Sequence, residues 1–198
     1  MNLTEYLKLS EEQETTLIGK KIHFNNGEDY TIFTVESSGR SWNNDFDCSM
    51  LELTTLRGGP SSVYGDFECD RNKLTSLENA PSLIGGYFSC SFNNLTSLEG
   101  APRSVGGDFY CSDNGLTSLH DIHKIIKKIN GDFWAQDNPI TSCVLGVLLI
   151  EGCTKIEIDN KKVQNIINKY LPNHRGFSAV IECQSELLDA GYDEYAKL

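Results

Sequence analysis

The sequence has no long apolar run, and its first residues, MNLTEYLKLSEEQETT, carry no basic segment followed by an apolar one. We therefore expect neither a membrane-spanning helix nor a secretory signal, and predict a soluble cytoplasmic protein with no membrane partner. Basic residues are also scarce, because 17 Lys and Arg stand against 28 Asp and Glu, for a formal net charge of -11. This balance argues against direct binding to nucleic acid and favours a partner with a basic patch.

Catalytic and metal-binding motifs are missing as well. No Walker loop, G-x-S-x-G or H-E-x-x-H motif occurs, and the seven cysteines form no C-x-x-C pair. His120 and His123 have helical spacing but lie in an irregular insertion without an obvious third ligand. Cys143 and Cys153 lie in the apolar stretch CVLGVLLIEGC, which predicts core positions. We expect no enzymatic activity, no cofactor and no metal site.

The sequence does contain an internal repeat of 21 residues. Each copy opens on a phenylalanine, followed by Cys two residues later and by Leu seven and ten residues later, with substitutions in the last copy. An asparagine precedes the first of these Leu or Ile residues in four copies. The phenylalanines are Phe46, Phe67, Phe88, Phe109 and Phe133, and the last interval is 24 residues because DIHKIIKKIN carries three more. The cysteines at equivalent positions are Cys48, Cys69, Cys90 and Cys111, which predicts reduced, buried thiols.

The spacing F-x-C-x-x-N-x-L-x-x-L resembles the leucine-rich-repeat consensus over residues 41 to about 145. The short form, with P-S-x-x-G-G before the strand and L-T-S-L after it, is similar to repeats of bacterial effectors and of proteins encoded by tailed bacteriophages. The resemblance implies an α/β solenoid with a short parallel β-sheet in which the phenylalanines stack. It also implies a phage accessory protein that binds and inhibits a host protein, such as a defence protein, in the host cytoplasm.

Three regions are predicted along the chain. Residues 1–40 form an N-terminal cap with a short helix over 3–15 and a β-hairpin turning at Asn26-Gly27. Residues 41–159 form the solenoid, whose last strand lies at 155–159. Residues 160–198 form a cap of two helices, the second with Val180, Ile181, Leu187 and Leu188 on one face. Caps are needed because an open repeat exposes its core and a strand edge, through which two copies could also pair.

The residues that flank Phe and Cys on each strand are expected on the concave face of the solenoid. Most are acidic or aromatic. The candidate protein-binding residues are Asp45, Asp47, Asp66, Glu68, Tyr87, Phe92, Asp108, Tyr110, Asp132 and Trp134. Carboxylates on neighbouring strands repel, a partner that brings Lys or Arg relieves the repulsion, and aromatic rings supply rigid anchors. We therefore predict a non-catalytic module that binds a basic patch of another protein.

Three other interpretations stay open. The acids on exposed strand positions could simply keep a short sheet soluble. Rows of carboxylates could mimic nucleic acid and block a DNA-binding protein, although a strand spacing of about 4.8 Å is short for phosphates. Asp45, Asp47 and Asp66 could bind calcium, or the row a small ligand, although no EF-hand-like or RTX-like motif is present.

Overall fold

The building unit of this chain is a pair of very short strands. Its computed structural model describes residues 21–23, 29–31, 41–171 and 177–198. The predicted helix over 3–15 and the Asn26-Gly27 turn lie outside these residues. The two strands of the predicted hairpin are present as β1 (Lys21–His23) and β2 (Asp29–Thr31), which pair antiparallel.

The segments that begin with phenylalanine form a parallel six-stranded sheet, as predicted. Equivalent residues of successive copies lie opposite one another, and the longer interval before Phe133 does not change this register, because Phe109 still pairs with Phe133. Ile156 takes the place of phenylalanine in the last strand. In spatial order the strands are β4 (Phe46–Asp47), β6 (Phe67–Glu68), β8 (Phe88–Ser89), β10 (Phe109–Tyr110), β12 (Asp132–Trp134) and β13 (Lys155–Glu157).

A second parallel sheet, which the sequence did not lead us to expect, runs through the segments before the glycines. Its strands are β3 (Ser41–Trp42), β5 (Ser62–Val63), β7 (Leu83–Ile84), β9 (Ser104–Val105) and β11 (Lys128–Ile129). The chain turns from one sheet to the other at the glycines. At Gly85 an added Cβ would lie 2.1 Å from the carbonyl oxygen of Tyr64 in the preceding copy. Glycine therefore lets the copies stack closely at this turn.

The three extra residues of DIHKIIKKIN are accommodated beside a single turn of helix, α1 (Ile122–Ile125). Asp121 lies just before it and has a φ of 56°. The equivalent residue of the preceding copy, Gly100, also has a positive φ, of 84°. After the insertion Lys128 pairs with Ser104, so the second sheet regains its register at once.

The core between the two sheets is a ladder of phenylalanine rings. Ring centroids of successive copies lie 4.9 to 5.9 Å apart, and each ring is at most 1% exposed. Beside them, each repeat cysteine donates its thiol to a carbonyl of the next copy, as from Cys69 to Ser89 at 3.3 Å. Burial raises the pKa of the Cys69 thiol well above its usual range, so it stays protonated at neutral pH.

All cysteines of the described ranges are free thiols. Cys153 is buried, as predicted. The prediction of a core position for Cys143 is wrong, since this residue is only partly buried. It has a φ of 55°, and its backbone N–H donates to the carbonyl of Glu194 at 3.0 Å. Cys143 therefore lies in a turn against the C-terminal segment and not in the repeat core.

In four copies an asparagine joins the copy to the one before it. The Asn93 amide donates to the carbonyls of Cys90 and Ser91 in its own copy and of Cys69 in the preceding copy, at 3.0 to 3.3 Å. Its side-chain oxygen accepts the backbone N–H of Leu74 at 3.0 Å. Asn72, Asn114 and Asn138 make equivalent bonds. Each of these asparagines satisfies backbone groups that no strand pairing reaches.

Two helices follow the last strand, α2 (Lys161–Tyr170) and α3 (Phe177–Asp189), with a 3₁₀ helix at Leu145–Leu149 before it. The first begins at Asn160, whose side chain accepts the N–H of Val163. It also closes the free edge of β13. Asn168 accepts the N–H of Ile156 and donates to its carbonyl at 2.8 and 3.0 Å, and Gln164 accepts the N–H of Ile158 at 3.0 Å.

The predicted apolar face of α3 is only half correct. Val180 and Leu187 are buried, but Ile181 and Leu188 are 63% and 47% exposed. Residues adjacent in sequence lie about 100° apart on a helix, so the two pairs cannot share one face. Ala179 and Cys183 complete the buried side instead, and Ile181 and Leu188 lie on another side. Neither α3, which has 13 residues, nor any other helix of the described ranges is long and apolar enough to cross a bilayer.

Replacing Asn93 with Ala should lower the free energy of unfolding by about 3 kcal/mol, because several backbone groups of two copies lose their partner. Urea unfolding monitored by circular dichroism measures this. Asn94→Ala is the matched control, since Asn94 is exposed and should cost no more than about 0.5 kcal/mol. Equal losses in the two variants would contradict the structural role of Asn93.

Replacing Asn168 with Ala should open the edge of β13 and lower the free energy of unfolding by about 1 to 3 kcal/mol. It should also increase concentration-dependent association in sedimentation experiments, since an unpaired edge can pair with another chain. Asn165→Ala, at an exposed position of the same helix, should change neither property. If both variants behave like the wild type, the amide pairing is not what closes the solenoid.

Candidate functional site

Nine of the ten candidate residues lie on the six-stranded sheet or directly before its strands. They flank the buried phenylalanines and project from the opposite side of the strands. Phe92 lies apart, in the turn after β8. We call the nine residues the acidic-aromatic face: Asp45, Asp47, Asp66, Glu68, Tyr87, Asp108, Tyr110, Asp132 and Trp134.

Three aspartates of this face bond to the backbone of the next copy. The Asp45 carboxylate accepts the N–H of Asp66 at 2.9 Å, and Asp66 in turn accepts the N–H of Tyr87 at 2.8 Å. Asp108 accepts the N–H of Asp132 at 2.8 Å. These carboxylates therefore contribute to the stacking of the copies, a role that sequence reasoning missed.

A glycine leaves room for each of these carboxylates. A Cβ on Gly86 would lie 1.9 Å from a carboxylate oxygen of Asp66, and one on Gly65 would lie 2.2 Å from that of Asp45. The recurring Gly-Asp dipeptide before the phenylalanine was the available signal. It could be interpreted only once the contact between neighbouring copies was known.

Three aromatic rings form a continuous row across the face. Tyr87 meets Tyr110 edge to face with ring centroids 5.9 Å apart, and Tyr110 stacks on Trp134 at 6.0 Å. Hydrogen bonds fix the tyrosines, because the Tyr87 hydroxyl donates to Glu68 at 2.6 Å and the Tyr110 hydroxyl donates to Asp108 at 2.8 Å. Burial and the bond to Asp108 raise the pKa of Tyr110 to about 12. The rings are therefore held in place as rigid surfaces.

The negative charges of Glu68, at the centre of the face, and of its neighbour Asp70 are not neutralised by a cation of the described residues. Partial burial raises the pKa of Glu68, the Tyr87 hydroxyl opposes this shift, and the charges of Asp47 and Asp70 add to it. Asp70, which was not among the candidates, accepts the Ser89 hydroxyl and the Ser91 N–H, both at 2.6 Å. Burial also raises the pKa of Asp70. Within residues 41–171 and 177–198, neither Glu68 nor Asp70 forms an ion pair with Lys, Arg or His.

Two lysines of the chain, Lys155 and Lys161, lie at the C-terminal end of the face. Lys155 places its ammonium group 5.7 Å from the centre of the Trp134 ring and forms an ion pair with Glu157. Lys161 pairs with the same carboxylate at 3.0 Å. Burial raises the pKa of Glu157, but the bonds from the two lysines outweigh it, so the pKa lies below its usual range.

The ring of Phe92 also contacts a cation of the chain, Arg71. The Arg71 guanidinium carbon lies 4.1 Å from the centre of its ring. Both residues have a positive φ, 53° at Arg71 and 56° at Phe92, in the turn that each copy makes before its asparagine. Phe92 is 42% exposed despite this contact. The structure therefore does not join it to the Tyr87 to Trp134 row.

The described residues contain no group of three or more His, Cys, Asp or Glu side chains that could hold a metal ion. The aspartates of the calcium interpretation, Asp45, Asp47 and Asp66, thus do not converge on one point. The His120 ring instead bonds through Nδ1 to the backbone oxygen of Leu198, at 2.7 Å.

A cleft of about 490 Å³ lies beside α1, on the return side of the repeats. Apolar side chains supply most of its lining. Two of its three charged residues, Asp121 and Lys124, pair with each other at 2.7 Å, and the third is Glu99. The lining includes Leu98, Leu119, His120, Ile122 and Ile125.

Comparison with protein-family models, with curated proteins and with solved structures found no match for this chain. Fold and site nevertheless define a class. The chain is a solenoid of parallel-strand repeats of about 21 residues, similar in plan to leucine-rich repeats. Its six-stranded sheet presents carboxylates and aromatic rings side by side.

Replacing Glu68 with Gln tests the electrostatics of the face. Glu68 has a raised pKa in the folded state, so the fold binds its proton more tightly than the unfolded chain does. The wild type should therefore lose stability relative to Glu68→Gln as pH rises from the ordinary glutamate pKa through the raised one, while the difference stays constant at lower pH. Urea unfolding between pH 3.5 and 7.5 measures this, with Glu78→Gln on the return side as the control. A pH-independent difference would contradict the shift.

Proposed function

We propose that this chain is a non-catalytic protein-binding module whose acidic-aromatic face binds a basic patch of another protein. One observation carries the proposal. At the centre of the face, the partly buried carboxylate of Glu68 lies beside fixed aromatic rings and pairs with no cation of the described residues. A partner that brings Lys or Arg there would offset the cost of burying this charge.

The aromatic row supplies the second part of the interaction. Rings that are already held by hydrogen bonds and stacking lose little entropy on binding, and their faces attract cations. Lys155 over Trp134 and Arg71 over Phe92 are examples within the chain itself. The parts of Tyr87 and Tyr110 that the row leaves exposed offer aromatic surface to a partner.

The biological setting of this proposal rests on the resemblance of the repeat sequence. It is that of a phage accessory protein that binds and inhibits a host protein, for example a defence protein, in the host cytoplasm. The nucleic-acid mimic receives less support, because Asp45, Asp66 and Asp108 already accept backbone N–H groups and half of the other six residues of the face are aromatic.

Affinity capture from bacterial lysate with matched variants tests the proposal. Glu68→Lys reverses the central charge, and Tyr110→Ala removes the middle ring. Glu78→Lys makes the same charge change on the return side, and Tyr64→Ala removes a tyrosine that is 59% exposed before Gly65. Captured proteins are quantified by mass spectrometry, after thermal melting has shown that each variant folds.

We expect a protein that the wild type and both control variants capture and that Glu68→Lys and Tyr110→Ala lose by about tenfold or more. Its affinity should decrease with added salt, and also as pH falls through the raised pKa of Glu68. Equal capture by all five proteins, or a captured protein without a basic patch, would contradict binding at this face.

A further inference from the structure

Helix α3 has a second apolar face, which is largely exposed in the described structure. Phe177, Ile181 and Leu188 are 70%, 63% and 47% exposed. At about 100° per residue they lie within about 40° of one another around the helix axis. The side that packs against the rest of the chain is a different one, formed by Ala179, Val180, Cys183 and Leu187. The exposed residues therefore form one stripe, which we call the α3 stripe.

This exposure is concentrated rather than scattered. The described residues contain eight exposed large apolar side chains, and three of them belong to this one helix of 13 residues. Single exposed apolar residues need no explanation, whereas a contiguous group on one element marks an interaction surface. The stripe extends over about 16 Å, three helical turns, which is the contact length of a short partner helix.

The charges along the stripe indicate the chemistry of the partner. The helix carries Glu182, Glu186 and Asp189 and has no Lys or Arg. Glu186 already pairs with Lys169, and the Tyr170 hydroxyl donates to it at 2.9 Å.

The charges of the other two acids of α3, Glu182 and Asp189, are not neutralised by a cation of the described residues. Glu182 accepts the Ser178 hydroxyl at 3.0 Å, and within the described ranges neither Glu182 nor Asp189 forms an ion pair. Both lie on the same flank of the helix, about 100° to 120° around its axis from the centre of the stripe. The negative C-terminal end of the helix dipole adds to the field of Asp189.

We propose that the α3 stripe binds a basic amphipathic helix of a partner protein, with apolar residues against Phe177, Ile181 and Leu188 and with Lys or Arg beside Glu182 and Asp189. A second copy of this chain fits less well, because two α3 helices would bring their acidic edges together and each chain carries a net charge of -11. The stripe lies on a different element from the acidic-aromatic face. The proposal does not depend on the function proposed for that face.

Selection from a library of helical peptides about 14 residues long, with the immobilised full chain as target, tests this proposal. Each enriched peptide is then titrated against the wild type and against Ile181→Ser, Phe177→Ser and Glu182→Lys. These three side chains are exposed, so the substitutions should leave the fold intact, which circular dichroism checks. Leu83→Ser is the apolar control, because Leu83 is 43% exposed and the neighbouring copies have serine at this position. Glu68→Lys separates binding at the stripe from binding at the acidic-aromatic face.

We expect enriched peptides with an apolar stripe and a basic edge, whose affinity falls about tenfold or more in Ile181→Ser and Glu182→Lys and is unchanged in Leu83→Ser and Glu68→Lys. Three outcomes would overturn the proposal. The selected peptides could lack the basic edge or bind Ile181→Ser and Phe177→Ser like the wild type. The wild type could dimerise through the stripe, with the dimer lost in Ile181→Ser. It could bind uncharged phospholipid vesicles in a manner that Ile181→Ser abolishes.

Discussion

The amide of the repeated asparagine is the contact on which the rest of the solenoid depends. In the four copies that have it, it bonds to carbonyls of that copy and of the preceding one, so it fixes both the turn after the strand and the distance to the neighbour. Together with the backbone bonds between the strands, it holds the copies at the distance at which the phenylalanine rings stack, 4.9 to 5.9 Å between centroids. The same spacing sets the distance between successive side chains on the acidic-aromatic face. The geometry of the candidate site therefore follows from a buried polar network that no partner would touch.

The long-period features of the fold could be predicted because they repeat. The interval between phenylalanines predicts the six-stranded sheet, and the pattern carries over to Ile156, where the residue type has changed. The second sheet could not be predicted from local pattern, since strands of two residues such as Ser62–Val63 are too short to show alternation. The exposed side of α3 was missed for a related reason. Adjacent apolar residues such as Val180 and Ile181 look like one cluster in sequence but lie on different sides of a helix.

For the candidate site, too, the sequence predicts the position of the residues but not the interactions that each one makes. Its position was predictable because strand residues alternate between the core and the surface. The role of each acid could not be predicted, because a carboxylate such as Asp66 bonds to a backbone N–H of another copy, 21 residues away in the chain. The structure divides the acids of the face into two kinds. Some, like Asp66, hold the copies together, while Glu68 carries a charge that the described residues do not neutralise.

The turn around α1 shows where this architecture absorbs added sequence. Three extra residues enter between Leu119 and Ile126, and the strands on both sides keep the register of the other copies. The length of this turn can thus differ between copies while the spacing of the outward side chains stays constant, even though Ile122 and Ile126 pack into the core. This turn is the place where a fluorophore or an epitope could be grafted to follow the protein without altering either surface that we assign to partners.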